Sequence, residues 1–414
     1  MQEVKGHRTR RRDLLWFALG LGLPLPWVVA VALQGLGIQA EMVAPLAGLA
    51  ILGSAFMLAW SCEIAERDIP QSLALLVLAL VGVLPEYAID LHFAWQAGSD
   101  PSYAHYATAN MTGANRMLIG LGWVSVILVA CWRSGSDRLA IHPRQNLELR
   151  YLIWATIYSF FIPLGGEIGL IDAGVLLALF AAYVKSAMGG ETPEVDLEGP
   201  AALIDREFQN TGRRVWALML FLFAGYAIYV SAEPFAESLV TMGLRYDVDR
   251  YLLVQWVAPL ASESPEFVVA VLFAWHLRGS IGIGALVSSK VNQWTLLVGA
   301  LPIAYAISVG EFVGLPLDLR QSEELLLTSA QSLLAVILLS SLQVTRRAAL
   351  GLAGLFVAQL VLTSAPVRVG FTAAYLLISA GLLIFGPASR RRAFFALVRG
   401  REVSAQGAGS ASDR

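Results

Sequence analysis

Two Pro-Glu pairs lie deep inside apolar runs of this chain: Pro85-Glu86 in VGVLPEYAIDLHFAW and Pro265-Glu266 in PLASESPEFVVAVLFAW. Aligned on those pairs, Tyr87 meets Phe267, Phe93-Ala94-Trp95 meets Phe273-Ala274-Trp275, and five of eleven residues are identical. A carboxylate is costly away from water, and one inside a membrane span marks a functional site by default. Two at matching places in two halves point to a transporter built from repeats. Asp90 follows Glu86 by four residues and Glu263 precedes Glu266 by three, so each pair shares one helix face. Pro265 removes a backbone N–H and frees carbonyls from the helical ladder, and Gly82 offers a backbone that can open. Carboxylates and freed carbonyls, with Ser262 beside them, are hard oxygen ligands suited to Na+ or Ca2+. Pro-Glu also suits the first turn of an ordinary helix, where the missing N–H costs nothing. The duplication favours the site.

Each copy is followed by a second apolar segment dotted with polar residues. The first offers Asn110, Thr112, Asn115 and Arg116; the second offers Ser288, Ser289, Lys290, Asn292 and Gln293. Gly113, Ala114, Gly282 and Gly284 permit close helix approach, and Asn110, Thr112 and Ser288 also suit plain interhelical hydrogen bonds. Arg116 and Lys290 demand more. A buried cation needs a counter-charge, and Glu86, Asp90, Glu263 and Glu266 are the carboxylates at hand. His276 is expected at the membrane interface, and His92 as a satisfied structural group or a proton relay.

The elements that must position these residues are membrane spans. Of 414 residues, 57% are hydrophobic and 14% charged, against roughly 25% charged in soluble domains. Segments of about 20 apolar residues recur about twelve times: near 14–36, 41–64, 70–96, 104–132, 150–164, 167–188, 214–243, 250–277, 281–309, 323–342, 346–365 and 367–387. The expected fold is therefore an all-α polytopic membrane protein. The fifth and sixth spans meet at Gly165-Gly166 as a tight hairpin. Basic residues in the loop after the fourth span, at Arg213-Arg214, Arg278, Arg346-Arg347 and in the tail SRRRAFFALVRGR place both termini in the cytoplasm, with Arg245 and Arg250 as exceptions. The N-terminal run lacks a cleavage site and reads as an uncleaved span in a cell (plasma or inner) membrane.

The polar stretch 189–213 reads as a cytoplasmic linker between two halves, 41–188 and 214–365. Each half has five spans, and an odd number inverts the second half. An extra helix stands at each end, within 1–40 and 366–388, and a basic tail of 389–414 ends in a disordered Ser404–Arg414. Acids near span ends, Glu63, Glu66, Glu233 and Glu237, are expected to be interfacial. Cys62 and Cys131 lie in apolar segments without metal spacing and read as small apolar filler.

These residues resemble the calcium/cation antiporter superfamily, which includes the sodium/calcium exchangers. Its two α-repeats carry G-T-S-L-P-E and, some twenty residues on, G-N-x-x-G-S-N. Leu84-Pro85-Glu86 matches the end of the first element, and Asn110, Gly113 and Asn115 match the second. In the later copy Ser262, Pro265, Glu266, Gly284 and Ser289 match, so the repeats span about 81–118 and 259–294. The resemblance implies two inverted five-helix repeats, alternating access, and a cation site on Glu86 and Glu266; Glu263, Ser262, Asn110, Asn115, Ser289 and Gln293 are the residues expected to extend that site.

Departures are equally specific. Thr-Ser before the first Leu-Pro-Glu is Gly82-Val83, the second motif carries Glu263 and Ser264, and G-S-N becomes Gly113-Ala114-Asn115 and Ser288-Ser289-Lys290. The carboxylate or amide three residues beyond falls on Leu118 and Gln293, and the first loop is about five residues longer. Lys290 is thus expected to fill the space of a coupling ion in relatives, held by Glu263 and one Pro-Glu carboxylate, with Asp90, Arg116 and Asn292 lining the site. The function expected is secondary antiport of Ca2+ or Na+ against Na+ or H+, with the bilayer and small inorganic cations as partners and no cofactor or nucleic acid. The alternatives are a diverged regulatory protein of the same fold, or a transporter of another solute. The chain has no P-loop, H-E-x-x-H or G-x-S-x-G motif, which speaks against a pump or an enzyme.

Overall fold

The computed structural model describes residues 2–33, 40–65, 84–188, 197, 199–247 and 249–403. Glu66, Gly82 and Val83, the first part of the expected third span, and the Ser404–Arg414 tail lie outside the described residues. The described chain is almost entirely helical. In order it forms α1 (Gln2–Gly22), α2 (Leu25–Ala32), α3 (Ala40–Ala65), α4 (Leu84–Gln96), α5 (Tyr103–Ser134), α6 (Asn146–Ser159), α7 (Leu170–Ala187) and α8 (Gly199–Glu207). Then follow α9 (Asn210–Tyr246), α10 (Arg250–Trp275), α11 (279–309), α12 (Leu319–Leu339), α13 (Arg346–Val361), α14 (Ala365–Ile384) and α15 (Ala388–Val398).

Among the described residues seven helices, counting Arg11–Ala32 as one, are long and apolar enough to cross a membrane; α10, broken at Pro265, makes an eighth. Two expected spans are short. α6 stops at Ser159, before a 3-10 turn and the left-handed Gly166 (φ 71°), and α13 stops at Val361, ahead of Pro366. Their 14 and 16 residues span about 21 and 24 Å at 1.5 Å per residue.

The chain gathers into two compact units: Met1–His92 with Val184–Pro265, and Phe93–Tyr183 with Glu266–Arg414. These units do not follow the two sequence halves; each takes helices from both. The cause is visible in the first unit, where α3 and α9, the opening helices of the two halves, pack on each other. Their small residues allow it: a side chain at Gly48 would meet the Phe235 ring at 2.9 Å. Met57, Leu58, Trp60 and Ile64 of α3 form one core with Leu220, Ala224 and Ile228 of α9.

The expected polar linker is partly a helix. In α8, Ala201, Leu203 and Ile204 are buried, and the helix packs against α1 and α3. Pro200 sits at its start, where the missing N–H is not needed. Arg206 pairs with Asp13 at 3.4 Å and Asp205 with Arg213 at 2.9 Å. The apolar run AALI among polar neighbours is what turns this stretch inward.

The second unit is built on α5, α11, α12 and α14. Two short antiparallel pairs fasten its loops: β1 (Arg138–Ala140) on β4 (Gln343–Thr345), and β2 (Glu167–Ile168) on β3 (Leu315–Pro316). Close packing again uses glycine. A Cβ at Gly282 of α11 would sit 2.4 Å from the Ala270 carbonyl oxygen of α10. Cys131 is buried and free, as its apolar setting predicts.

Candidate functional site

The first unit holds four of the sequence-selected residues. On α4, Glu86 is 3% exposed and Asp90 fully buried; on α10, Ser262 and Glu263 are buried too. The described part of α4 begins at Leu84, so Glu86 stands in its first turn, and Glu266 opens the second segment of α10, Glu266–Trp275, just after the break at Pro265. His92 is not solitary: its Nε2 is 3.0 Å from Oε1 of Glu237 on α9. Glu237 also lines a cavity of about 290 Å³ with Glu41 and Arg245, which are themselves ion-paired. Of the acids expected at the interface, Glu233 is exposed and Glu63 half-buried.

The second unit holds Asn110, Asn115, Arg116, Glu266, Ser289, Lys290, Asn292 and Gln293, and all but Glu266 are buried. Ser289 is the polar neighbour of Glu266. Tyr183 of α7 and Ser288 share a hydrogen bond of 2.8 Å. The central contact joins α5 to α11. Lys290 Nζ donates to Asn115 Oδ1 at 2.8 Å and to the Asn115 carbonyl at 3.1 Å, and it stands 4.8 Å from the centre of the Trp294 ring. Asn115 is oriented for this by its own Nδ2, which donates to the Met111 carbonyl at 2.9 Å. A fully buried ammonium thus sits on two oxygens and an aromatic face, the donors a bound cation would use.

Asn115 and Lys290 occupy the same place in the two sequence copies, 175 residues apart. Directly after each, the helix widens into a π segment: Leu118–Trp123 in α5 and Gln293–Leu297 in α11. Such segments shift the backbone pairing and frequently mark functional sites. The carbonyls just before the first one find other donors: Lys290 for Asn115 and, at 3.2 Å, Gln331 Nε2 for Arg116.

Arg116 corrects the sequence reading. Its counter-charge comes from α12: Arg116 Nη2 lies 2.6 Å from Glu324 Oε2, both side chains at most 4% exposed. Arg368, at the start of α14, extends the network with Nη2 2.7 Å from Glu323 Oε2 and Nε 3.7 Å from Glu324 Oε1. In the sequence Glu323, Glu324 and Arg368 stand near span starts, where such residues pass for interfacial groups. The rule applied to the Pro-Glu pairs, that an ionisable residue in an apolar span needs a partner, would have flagged them.

Relatives in sequence and structure agree with this architecture. The H+/Ca2+ exchanger CAX, known from a crystal structure, is 41% identical, with a TM-score of 0.88 over 94% of this chain and 98% of that one. YfkE shares the fold at 16% identity and TM-score 0.60, over 87% and 99% of the two chains. The sodium-calcium exchanger NCX_Mj does so at 20% and 0.53, over 78% and 99%. No curated protein sequence matches the chain. The profile of the sodium/calcium exchanger proteins matches residues 42–188 and 216–365, and the chain, a multi-pass membrane protein, belongs to that family.

Proposed function

We propose that the protein is a secondary antiporter that exchanges Ca2+ against H+ by alternating access. Glu86 and Glu266 carry the transported cation, with Glu263, Ser262 and amide oxygens completing its ligands. Protonation of the same carboxylates neutralises them for the return step. The layout that fits is twelve spans in two inverted five-helix repeats plus one helix at each end, with both termini cytoplasmic. The 41% identical CAX is an H+/Ca2+ exchanger, which supports the choice of ions.

One observation carries the reading: the Lys290 ammonium, held by Asn115 Oδ1 at 2.8 Å. A tethered cation held by two oxygens leaves less room for a diffusible coupling Na+, and protons need no such room. The test is radiolabelled Ca2+ uptake into proteoliposomes under an imposed pH gradient and, separately, a Na+ gradient. Glu86→Gln/Glu266→Gln serves as the blank. Carboxylate-dependent uptake under the pH gradient alone is the expected result. Uptake driven by Na+ would move the protein to sodium coupling, and none above the blank would favour a diverged, non-transporting member of the fold.

A further inference from the structure

Behind Asn115 the second unit contains a polar interior that the Pro-Glu reading does not use. It lies among α5, α12, α13 and α14, which pack on one another. Its head is the network of Arg116, Glu323, Glu324 and Arg368, two cations and two anions. Below the head, Gln331 Nε2 donates to the Arg116 carbonyl and Gln359 Nε2 to Gln331 Oε1 at 3.1 Å. Further buried polar groups follow on the same helices. From Arg368, Tyr375 and Ser379 lie two and three turns along α14; Ser332 lies two turns beyond Glu324 on α12.

Tyr375, Ser379, Ser332 and Gln359 are at most 4% exposed. Among the described residues, the Tyr375, Ser379 and Ser332 hydroxyls and Gln359 Oε1 have no hydrogen-bond partner. Tyr375 lies close enough to Arg116 to feel its charge. Leaving four such groups dry inside a protein is expensive, and ordered water is the usual remedy where polar partners converge. The head group is electrically balanced, which fits water rather than an ion. From Arg368 to Ser379 the stripe runs roughly 16 Å at helical rise, through helices long and apolar enough to cross a membrane.

We propose that this interior is a chamber of ordered water that conducts protons between the membrane face where α12 and α14 begin and the Arg116–Asn115 segment of α5, on a route separate from the Pro-Glu helices. The proposal rests on proton coupling. Its titratable and charged groups are Arg116 on α5, Glu323 and Glu324 on α12, and Arg368 and Tyr375 on α14; α13 contributes the neutral Gln359. Most of α14 lies beyond the family match, which ends at residue 365, and the chamber gives this helix a task.

The experiment compares two fluxes in the same proteoliposomes: Ca2+-driven proton movement, read by a trapped pH dye, and Ca2+/Ca2+ self-exchange, which needs no protons. The variant is Tyr375→Phe/Ser332→Ala/Ser379→Ala, with Tyr375→Phe alone, nearly isosteric, should the triple variant not fold. Proton movement is expected to slow at least about tenfold (on the order of 1.4 kcal/mol in barrier) while self-exchange stays near wild type. Proton movement at the wild-type rate, or an equal fall in both fluxes, would overturn the chamber as a proton route. Absence of Ca2+-driven proton movement in the wild type would instead defeat proton coupling itself.

Discussion

The two repeats share a frame and differ in what they place on it. In both, a Pro-Glu helix is followed by a polar helix that widens into a π segment at the same relative position. The first copy adds Asp90 to its Pro-Glu face, where the second has Ala270; the second adds Glu263, where the first has Val83. Asn115 faces its counterpart Lys290 across a 2.8 Å hydrogen bond. The residue after Asn115 is Arg116, bound into a buried ion network, while the residue after Lys290 is the apolar Val291. Duplication therefore set the geometry, and substitution at single positions divided the labour: the second copy supplies a fixed cation, the first supplies its oxygens and an anchor.

The largest effect should come from that anchor. Arg116→Met removes the counter-charge 2.6 Å from the Glu324 carboxylate and should cost about 3–5 kcal/mol, whereas Val291→Ala at the matching place should cost about 2 kcal/mol. Thermal unfolding in detergent compares them; equal losses would erase the distinction between the copies. Next in size, Glu86→Gln and Glu266→Gln should each lower Ca2+ uptake by about a hundredfold, near 2.7 kcal/mol. Symmetric losses would confirm shared duty, and a tenfold gap would assign the cation mainly to one copy. Smaller again is Gly282→Ala, whose methyl would press on the Ala270 carbonyl and should cost about 1–2 kcal/mol. Its counterpart in the first copy is already an alanine, Ala107.

The smallest effect lies in the longer turn of the first copy. The Ser102 backbone N–H, 2.9 Å away, holds the exposed Asp100 carboxyl below the ordinary carboxylate range. A lowered folded-state value stabilises at pH above the unfolded one, about 3.9, and that stability fades as pH falls through the folded value. Asp100→Asn should therefore lower the unfolding temperature slightly at neutral pH. The gap should close once pH falls below the folded value; a gap that persists in still stronger acid would mean the turn depends on something other than this charge.

Much of this was legible because membrane physics writes itself along the chain. Apolar length pointed to a helical, multi-pass membrane protein, and the duplicated Pro-Glu motif pointed to the exchanger family that the chain belongs to. What stayed hidden depends on distance in sequence. Arg116 finds Glu324 after more than 200 residues, and no local pattern connects them. The AALI run of α8 is too short to outweigh its polar surroundings in a composition window, although four residues suffice to bury one face against α1 and α3. The two halves also hide their own exchange of helices: the affinity of α3 for α9 lies in small residues such as Gly48, which periodicity alone cannot pair.

Lys290 is proposed to stand in for a coupling ion, and a single substitution puts that role to the test. Lys290→Asn gives the second copy the residue that the first has at Asn115. Ca2+ uptake into proteoliposomes should be driven by a pH gradient and indifferent to Na+ in the wild type. In the Lys290→Asn variant, a Na+ gradient should begin to drive or inhibit it. A variant whose coupling matches the wild type under both gradients, with uptake still dependent on Glu86 and Glu266, would contradict the account.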